Sequence, residues 1–249
     1  MRSDGYIGWK LAWSYFSRFP VRIAPEEFRD NERVYRAMLL SIPAVGAGAA
    51  LAALLSWHLL GSLQWYGALV SALIYMFSYG FLHNEAVADV ADALYAAHSG
   101  KDPYEVIKDP AVGAMGLFYG MALALLKISG IVYLLLHDME GVVIAAAIGS
   151  RLGILPLFLL YDFRSSFANR LKNSVRAVDI AAIFPLYTVA ILLCAGSYSI
   201  LAILLLCAIG AVVVSRHIVS TLGFANGDML GTVIETGELI FIIGAALWL

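Results

Sequence analysis

A short acidic segment in the first half of the chain is the first feature that could do chemistry. Residues 83–92 read HNEAVADVAD, and the residues between the acids are mostly good helix formers. At about 100° per residue, Glu85, Asp89 and Asp92 fall within roughly 60° of one another on a helix. No Lys or Arg occurs from 37 to 100 to neutralise them. The segment therefore predicts a one-sided acidic face that requires a cation.

A second acidic cluster begins just before the last apolar run. Residues 223–238 read GFANGDMLGTVIETGE. On a helix, Asp228, Glu235 and Glu238 lie within about 80° of one another, and the last is about 15 Å along the axis from the first. A charge at bilayer depth costs at least about 2.5–3.5 kcal/mol, so such acids are functional candidates.

These acids predict a metal-dependent reaction on a phosphate. Oxygen ligands without clustered His or Cys suit a hard cation such as Mg²⁺. Mg²⁺ beside carboxylates usually accompanies a phosphate substrate, whose charge it offsets during transfer. We therefore expect a Mg²⁺ cofactor held by Glu85, Asp89, Asp92, Asp228, Glu235 and Glu238.

Structural explanations of the same acids stay open. The acids of the first segment are also compatible with a solvated helix face, and Asp228 with the positive N-terminus of a helix. The two deeper glutamates are also compatible with ion pairs to Lys127 or Arg151, which lie inside apolar runs.

The composition of the whole chain is that of a membrane protein. Its 249 residues are 61% hydrophobic and 14% charged, with a mean hydropathy of +0.83. Soluble domains are about 45–50% apolar and about 25% charged, so a soluble globular enzyme and a disordered chain are excluded. The net charge of −2 also excludes a nucleic-acid partner, because no polycation is available for phosphate backbones.

Seven apolar runs approach the roughly 20 residues that a spanning helix needs. We expect an all-α, polytopic transmembrane helical bundle in a lipid bilayer, forming one domain over 1–249. The runs are 37–60, 65–82, 116–136, 142–160, 180–195, 199–215 and 229–249.

The basic residues divide between the two sides of this bundle. Fourteen of the sixteen Lys and Arg lie in segments on the side of the N-terminus, and the short connections 61–64, 137–141 and 196–198 contain none. The positive-inside rule then predicts a multi-pass protein of the inner or plasma membrane. The N-terminus and the acids face the cytoplasm, and the C-terminus lies outside.

The first 36 residues form a cytoplasmic or interfacial segment in this scheme. Residues 5–19 mix aromatic side chains with Lys10 and Arg18, and the stretch is too short to span. We expect a helix that lies in the membrane interface and ends at Pro20.

The motifs together resemble one family nearly end to end. The chain is similar to the integral-membrane cobalamin synthases, the adenosylcobinamide-GDP ribazoletransferases. The opening FSRFPV at 16–21 and the loop KDPAVG at 108–113 are typical of them. The ending at 227–238 closely matches their Gly-Asp-x-Leu-Gly-x-x-x-Glu-x-x-Glu pattern, and 83–92 resembles their His-x-Asp-Gly-x-x-Asp-x-x-Asp stretch.

The chain departs from the family pattern at a few positions. Glu85 and Ala86 stand where the family favours Asp-Gly, so a longer acid is followed by a methyl group that hinders the closest approach. The chain also has Pro110 and Ala111 for Ser-Arg, Phe224 for Gly and Asn226 for Thr, and lacks a Gly-Leu-Gly piece after Arg164.

The resemblance implies a reaction and the residues for it. Adenosylcobinamide-GDP would react with α-ribazole or its 5′-phosphate and release GMP, with Mg²⁺ at the acids. It implies catalytic roles for His83, Lys108 and Arg151, although a hydrogen-bonded histidine at a helix end remains the alternative for the first. It implies substrate binding by Asp109, Lys127, Arg164 and Asn226. A homo-oligomer is compatible with the sequence.

Three other functions remain alternatives. A divalent-cation carrier would place polar sites near the midplane, whereas most acids here gather at one face. A CDP-alcohol phosphotransferase would carry Asp-x-x-Asp-Gly-x-x-Ala-Arg, but Ala93 follows Asp92. A membrane subunit without chemistry would not need six acids on one side.

Overall fold

Helices account for most of the chain in the computed structural model, which describes residues 3–249. Arg2, one of the fourteen basic residues on the N-terminal side, lies outside the described residues. The helices are α1 Asp4–Phe16, α2 Glu32–Leu40, α3 Ile42–Leu60, α4 Trp65–Ser78, α5 Leu82–His98, α6 Pro103–Lys108, α7 Ala114–Leu136, α8 Glu140–Ile154, α9 Leu157–Leu160, α10 Ser166–Ser174, α11 Ala177–Ala195, α12 Ile200–Leu222 and α13 Gly227–Trp248. The predicted all-α fold is confirmed.

The spanning helices also agree with the prediction. Six segments are long and apolar enough to cross a membrane alone, and the number is seven if the bent pair of α4 and α5 counts as one span. The boundaries differ most in three of the runs. The second run ends at Ser78, four residues before its predicted end. The first run breaks at Ser41, because Pro43 is tolerated only in the first turn of a new helix. α12 continues to Leu222, seven residues beyond the predicted end.

The break between α4 and α5 sets the direction of α5, the helix that carries the first acidic segment. The two helices meet at 76°, and Gly80 adopts φ +65°, which favours glycine. A Cβ there would also lie 2.3 Å from Arg18 Nε. The Arg18 amide donates to the Ser78 carbonyl at 2.7 Å. The FSRFPV motif therefore packs against this break.

The helix α13 lies at the centre of the bundle, where it packs against α5, α7, α8 and α12. Small residues permit these close contacts: a Cβ on Gly231 would lie 2.6 Å from Ala86, and one on Gly149 would lie 2.8 Å from Phe241. The acids of α13 are consequently carried into the interior.

The N-terminal helix α1 is shorter than predicted and ends at Phe16. It packs against α2, with Gly8 so close to Val34 that an added Cβ would lie 2.3 Å from its carbonyl oxygen. Lys10 pairs with Glu27 at 2.5 Å. Placement of α1 in the membrane interface stays a prediction.

Candidate active site

The six acids separate into two groups, and the deeper group is paired. Lys127 Nζ donates to Glu235 Oε2 at 2.6 Å, to Glu238 Oε2 at 2.7 Å and to Tyr79 Oη at 2.7 Å. All three charged side chains are at most 1% exposed. The lysine arrives on α7 and both glutamates on α13.

A second cation completes this group. Arg151 on α8 pairs with Glu238 and donates to the Ala147 carbonyl at 3.0 Å. Tyr75 on α4 donates to the same glutamate. Two cations thus balance two anions. A buried charge without a partner is strongly destabilising, whereas a closed network with saturated hydrogen bonds is tolerated. We call Lys127, Arg151, Glu235 and Glu238 the buried network.

The buried network bears on four of the expected roles. Glu235 and Glu238 were predicted to hold metal, Lys127 to bind substrate and Arg151 to catalyse. In the structure these residues pair with one another, which matches the ion-pair alternative that the sequence left open. We propose that the pairs support the site, and the metal, substrate and catalytic roles of the four residues stay predictions.

The other acids meet at the end of the bundle without a cation. Asp89 on α5 lies within electrostatic range of Asp228 on α13 and of Glu85 and Asp92 on its own helix. Glu85 is exposed, whereas Asp89, Asp92 and Asp228 are partly buried. Within residues 3–249, none of these carboxylates forms an ion pair. We call Glu85, Asp89 and Asp228 the acidic zone.

Asn226 positions one member of the acidic zone. Its Oδ1 accepts from the Met229 amide at 3.0 Å and caps α13, while its Nδ2 donates to Asp228 Oδ2 at 2.6 Å. An N-cap of this kind typically contributes about 1 kcal/mol. Asn226, which was predicted to bind substrate, therefore uses both its amide oxygen and its amide nitrogen in hydrogen bonds within the protein.

Asp92 fastens the KDPAVG loop to α5. Its carboxylate accepts from the amides of Gly113 at 2.7 Å and Gly116 at 2.8 Å. A Cβ on either glycine would lie within 2.6 Å of that carboxylate, so only glycine permits this contact. Asp109 accepts from the Ala111 amide at 3.0 Å and shapes the turn in the same loop. Both predicted residues thus hold the loop in place.

His83 lies in the first turn of α5, next to both groups. It is 5% exposed and stacks on Tyr79, with ring centroids 5.2 Å apart. It also lines a cavity that reaches Asp228. Its position is compatible with the proton acceptor that the resemblance implies, and that role stays a prediction.

Two predicted basic residues meet on an aromatic ring that sequence reasoning missed. Lys108 Nζ lies 3.9 Å and Arg164 Cζ 3.4 Å from the centroid of Tyr104. The ring of Phe224 packs edge-on against Tyr104, with centroids 5.4 Å apart. The Arg164 amide donates to the Ala225 carbonyl at 2.7 Å. The contact between Tyr104 and Phe224 brings α6 against the start of the α13 motif.

A weak signal for Tyr104 was present in the sequence. It precedes Lys108 by four residues, and residues at this spacing are neighbours on a helix. Arg164 and Phe224 are distant in the chain from that helix, so no local pattern could have brought them to the ring.

The donor set of the acidic zone fits Mg²⁺. Among the described residues, no three His, Cys, Asp or Glu side chains already form a metal-binding group. Mg²⁺, however, is usually bound through one or two carboxylates together with substrate phosphates, not by an all-protein cage. Oxygen donors without a protein cation, one of which (Asp228) lines a cavity, suit that mode.

Comparison with known proteins places the chain in a family. Residues 8–246 match the family model described as cobalamin-5-phosphate synthase. A protein of Brevibacillus brevis named adenosylcobinamide-GDP ribazoletransferase is 27% identical, over 93% of this chain and 94% of its own. Proteins of the same name from Escherichia coli K12 and Shigella dysenteriae are 26% identical, over 94% of this chain and 98% of theirs. No solved structure matches. The chain belongs to the cobalamin-5-phosphate synthase family.

Proposed function

We propose that this membrane transferase joins the adenosylcobinamide phosphate part of adenosylcobinamide-GDP to α-ribazole or its 5′-phosphate and releases GMP, with Mg²⁺ as cofactor. The observation that carries the proposal is the acidic zone. Its members lie on α5 and α13, the two helices that bear the family's acidic motifs, and they lack a protein cation. The names of the relatives support the choice of substrates.

The reaction is a substitution at phosphorus. A free ribose hydroxyl of the acceptor, one that is also present in the 5′-phosphate, attacks the phosphorus on the cobinamide side, and the bond from that phosphorus to the bridging oxygen breaks. GMP leaves with the electron pair. The hydroxyl proton passes to a ring nitrogen of His83. Asp89 and Asp228 would hold Mg²⁺, which would supply positive charge to offset that on the diphosphate oxygens.

The remaining residues hold the diphosphate and the helices. Lys108 and Arg164 supply two positive charges at one place, because both rest on Tyr104. Charge-assisted hydrogen bonds from such groups bind phosphate oxygens strongly. The buried network ties α7 and α8 to α13 and so keeps Asp228 in position.

The carrier alternative loses support from the buried network. A carrier requires ionisable groups at depth that can bind and release its ion. The two deep glutamates already have Lys127 and Arg151 as partners. The family assignment likewise favours a cobalamin synthase over a CDP-alcohol phosphotransferase.

Release of GMP is the direct test. The full-length protein, purified in detergent, is mixed with adenosylcobinamide-GDP, α-ribazole phosphate and Mg²⁺, and GMP is measured by chromatography. We expect GMP to form with Mg²⁺ and not with EDTA. Flux of Mg²⁺ into proteoliposomes, without release of GMP, would support the carrier instead.

We also propose that the N-terminus and the acidic zone face the cytoplasm, because the basic residues lie on that side. A reporter fused after Leu249 should be extracytoplasmic, and one inserted between 162 and 179 should be cytoplasmic. If both reporters lie on one side of the membrane, the seven-span arrangement fails.

A further inference from the structure

A cavity of ≈ 210 Å³ lies beside the acidic zone. It lies between residues of α1, α3, α5, α8, α9, α10 and α13. Its polar lining residues are His83, Ser165 and Asp228, and the other lining residues are aromatic, aliphatic or glycine. The cavity therefore offers a few polar groups within a mostly apolar wall.

The buried histidine at this cavity lacks a partner. No hydrogen bond joins either ring nitrogen of His83 to another residue in the range 3–249, although the side chain is 5% exposed. Within residues 3–249, Trp13 Nε1 is the only side-chain nitrogen or oxygen that is both inaccessible and without a hydrogen bond. The ring nitrogens of His83 are therefore still accessible. Buried polar groups nearly always have a protein or water partner, so the ring nitrogens of His83 are available to water or to a ligand in the cavity.

The wall of the cavity is built partly by the N-terminal helix. Tyr15 of α1 stacks on Phe167 of α10, with ring centroids 4.7 Å apart and planes at 26°. Both rings line the cavity, as does Phe16. Aromatic walls of this kind favour a flat ring system as the occupant.

The size and the charge of the cavity restrict the ligand. An apolar cavity of about 150 Å³ takes up a benzene ring, so the larger volume here suits two fused rings. None of the described lining residues is Lys or Arg, and Asp228 repels anions, so a phosphate group is disfavoured. An acyl chain would fill the apolar part but would leave His83 without a partner.

We infer that this cavity binds the flat, two-ring base of the acceptor nucleoside and that His83 and Asp228 of its lining contact the ribose hydroxyls. The identity of the acceptor rests on the proposed function, in which α-ribazole carries a benzimidazole base. The cavity then orders the acceptor beside the acidic zone, where the diphosphate is held.

Binding of the acceptor alone tests this assignment. The probe is 5,6-dimethylbenzimidazole riboside, titrated calorimetrically into full-length protein in detergent without donor or Mg²⁺. Ala168 lines the cavity and Ala182 is exposed on α11. Ala168→Leu should weaken binding roughly tenfold, since small size changes in an apolar pocket have effects of this order. The matched control Ala182→Leu should bind as the wild type does.

Selectivity for the base separates a filled cavity from general damage. Ala168→Leu should raise the KM for the dimethylbenzimidazole riboside far more than the KM for the single-ring imidazole riboside. If Ala168→Leu does not fold, Leu171→Ala enlarges the same wall and should improve binding of a larger base relative to the smaller one.

The outcomes distinguish this inference from the proposed function. Riboside binding that depends on Ala168, without release of GMP in the full assay, keeps the cavity and refutes the transferase. Release of GMP with base selectivity unchanged in Ala168→Leu and Leu171→Ala refutes the cavity. Absence of saturable riboside binding, or a copurified lipid that the riboside does not displace, also overturns it.

Discussion

The buried network and the acidic zone contain the same kind of side chain in opposite circumstances. Glu235 and Glu238 lie in the interior, where Lys127 and Arg151 balance them. Asp89 and Asp228 lie near the end of the bundle, where no described cation pairs with them. An acid that the protein has neutralised contributes to structure, whereas one left unneutralised is available to a ligand. The comparison therefore locates the chemistry more sharply than the number of acids does.

The largest effect is expected from removing one cation of the buried network. Lys127→Met leaves Glu235 and Glu238 with Arg151 alone, and breaking a buried pair costs about 3–5 kcal/mol. The thermal unfolding midpoint in detergent should fall steeply, and the protein should accumulate poorly in membranes. The control Lys101→Met, at an exposed position, should leave the midpoint unchanged.

A double variant tests whether charge balance is the reason. Lys127→Met with Glu235→Gln restores equal numbers of cations and anions, so it should recover part of the lost stability, as expected for coupled neighbours. A double variant less stable than Lys127→Met would mean that packing, and not charge, dominates here.

The next largest effect concerns activity in the acidic zone. Asp89→Asn and Asp228→Asn should each lower turnover by about a hundredfold or more, because a metal ion contributes several kcal/mol of charge stabilisation. The thermal midpoint should stay the same or rise, since like charges are removed. The matched control Asp138→Asn, at an exposed position far along the chain from both motifs, should keep normal GMP release.

The opposite pattern would break the comparison. If Asp89→Asn destabilised the protein and kept its turnover at low Mg²⁺, the first acidic segment would be a structural helix face. The acids of the acidic zone would then be structural, like those of the buried network, and the two groups would differ only in their location.

Much of the fold could be predicted from the sequence, because bilayer thickness sets the length of apolar runs. The missed boundaries have local causes: Pro43 starts a new helix, and Gly80 permits a sharp bend. Such ends depend on single residues that an average over 20 positions does not detect.

The sequence predicted two acidic motifs, but it could not predict which of their acids pair with buried cations. A helical wheel places Asp228, Glu235 and Glu238 on one face, and it cannot show which neighbouring helix meets each level. Lys127 and Arg151 come from α7 and α8, far away in the chain. The sequence could only leave ion pairs with them as an alternative.

A smaller effect is expected at Asp92, which fastens a loop and does not belong to the acidic zone. Asp92→Asn keeps one acceptor oxygen but turns an amide donor towards the Gly113 or Gly116 amide. A charge-assisted hydrogen bond contributes about 1.5–3 kcal/mol, so GMP release should fall about tenfold. Hydrogen exchange should rise over 108–113. A hundredfold loss with unchanged exchange would instead make Asp92 a metal ligand.

The smallest effect is expected at Glu85, the exposed member of the acidic zone. Glu85→Gln should weaken the apparent Mg²⁺ affinity a few-fold, because an exposed charge interacts by less than about 1 kcal/mol. Glu85→Asp should have a smaller effect in the same direction. A Mg²⁺ titration of GMP release measures both, and Glu26→Gln is the matched control at another exposed glutamate.

The neighbouring Ala86 decides how this departure from the family pattern is understood. The sequence suggested that its methyl group limits approach to the ion, but in the structure the methyl lies against Gly231 of α13. The Ala86 carbonyl also accepts from Thr232 Oγ1 at 3.2 Å. Ala86→Gly should therefore loosen this helix contact and cost about 1 kcal/mol of stability, while the Mg²⁺ titration stays unchanged. Tighter Mg²⁺ dependence in Ala86→Gly would instead place the ion on the Ala86 side of α5, and the boundary between helix contact and acidic zone would have to move.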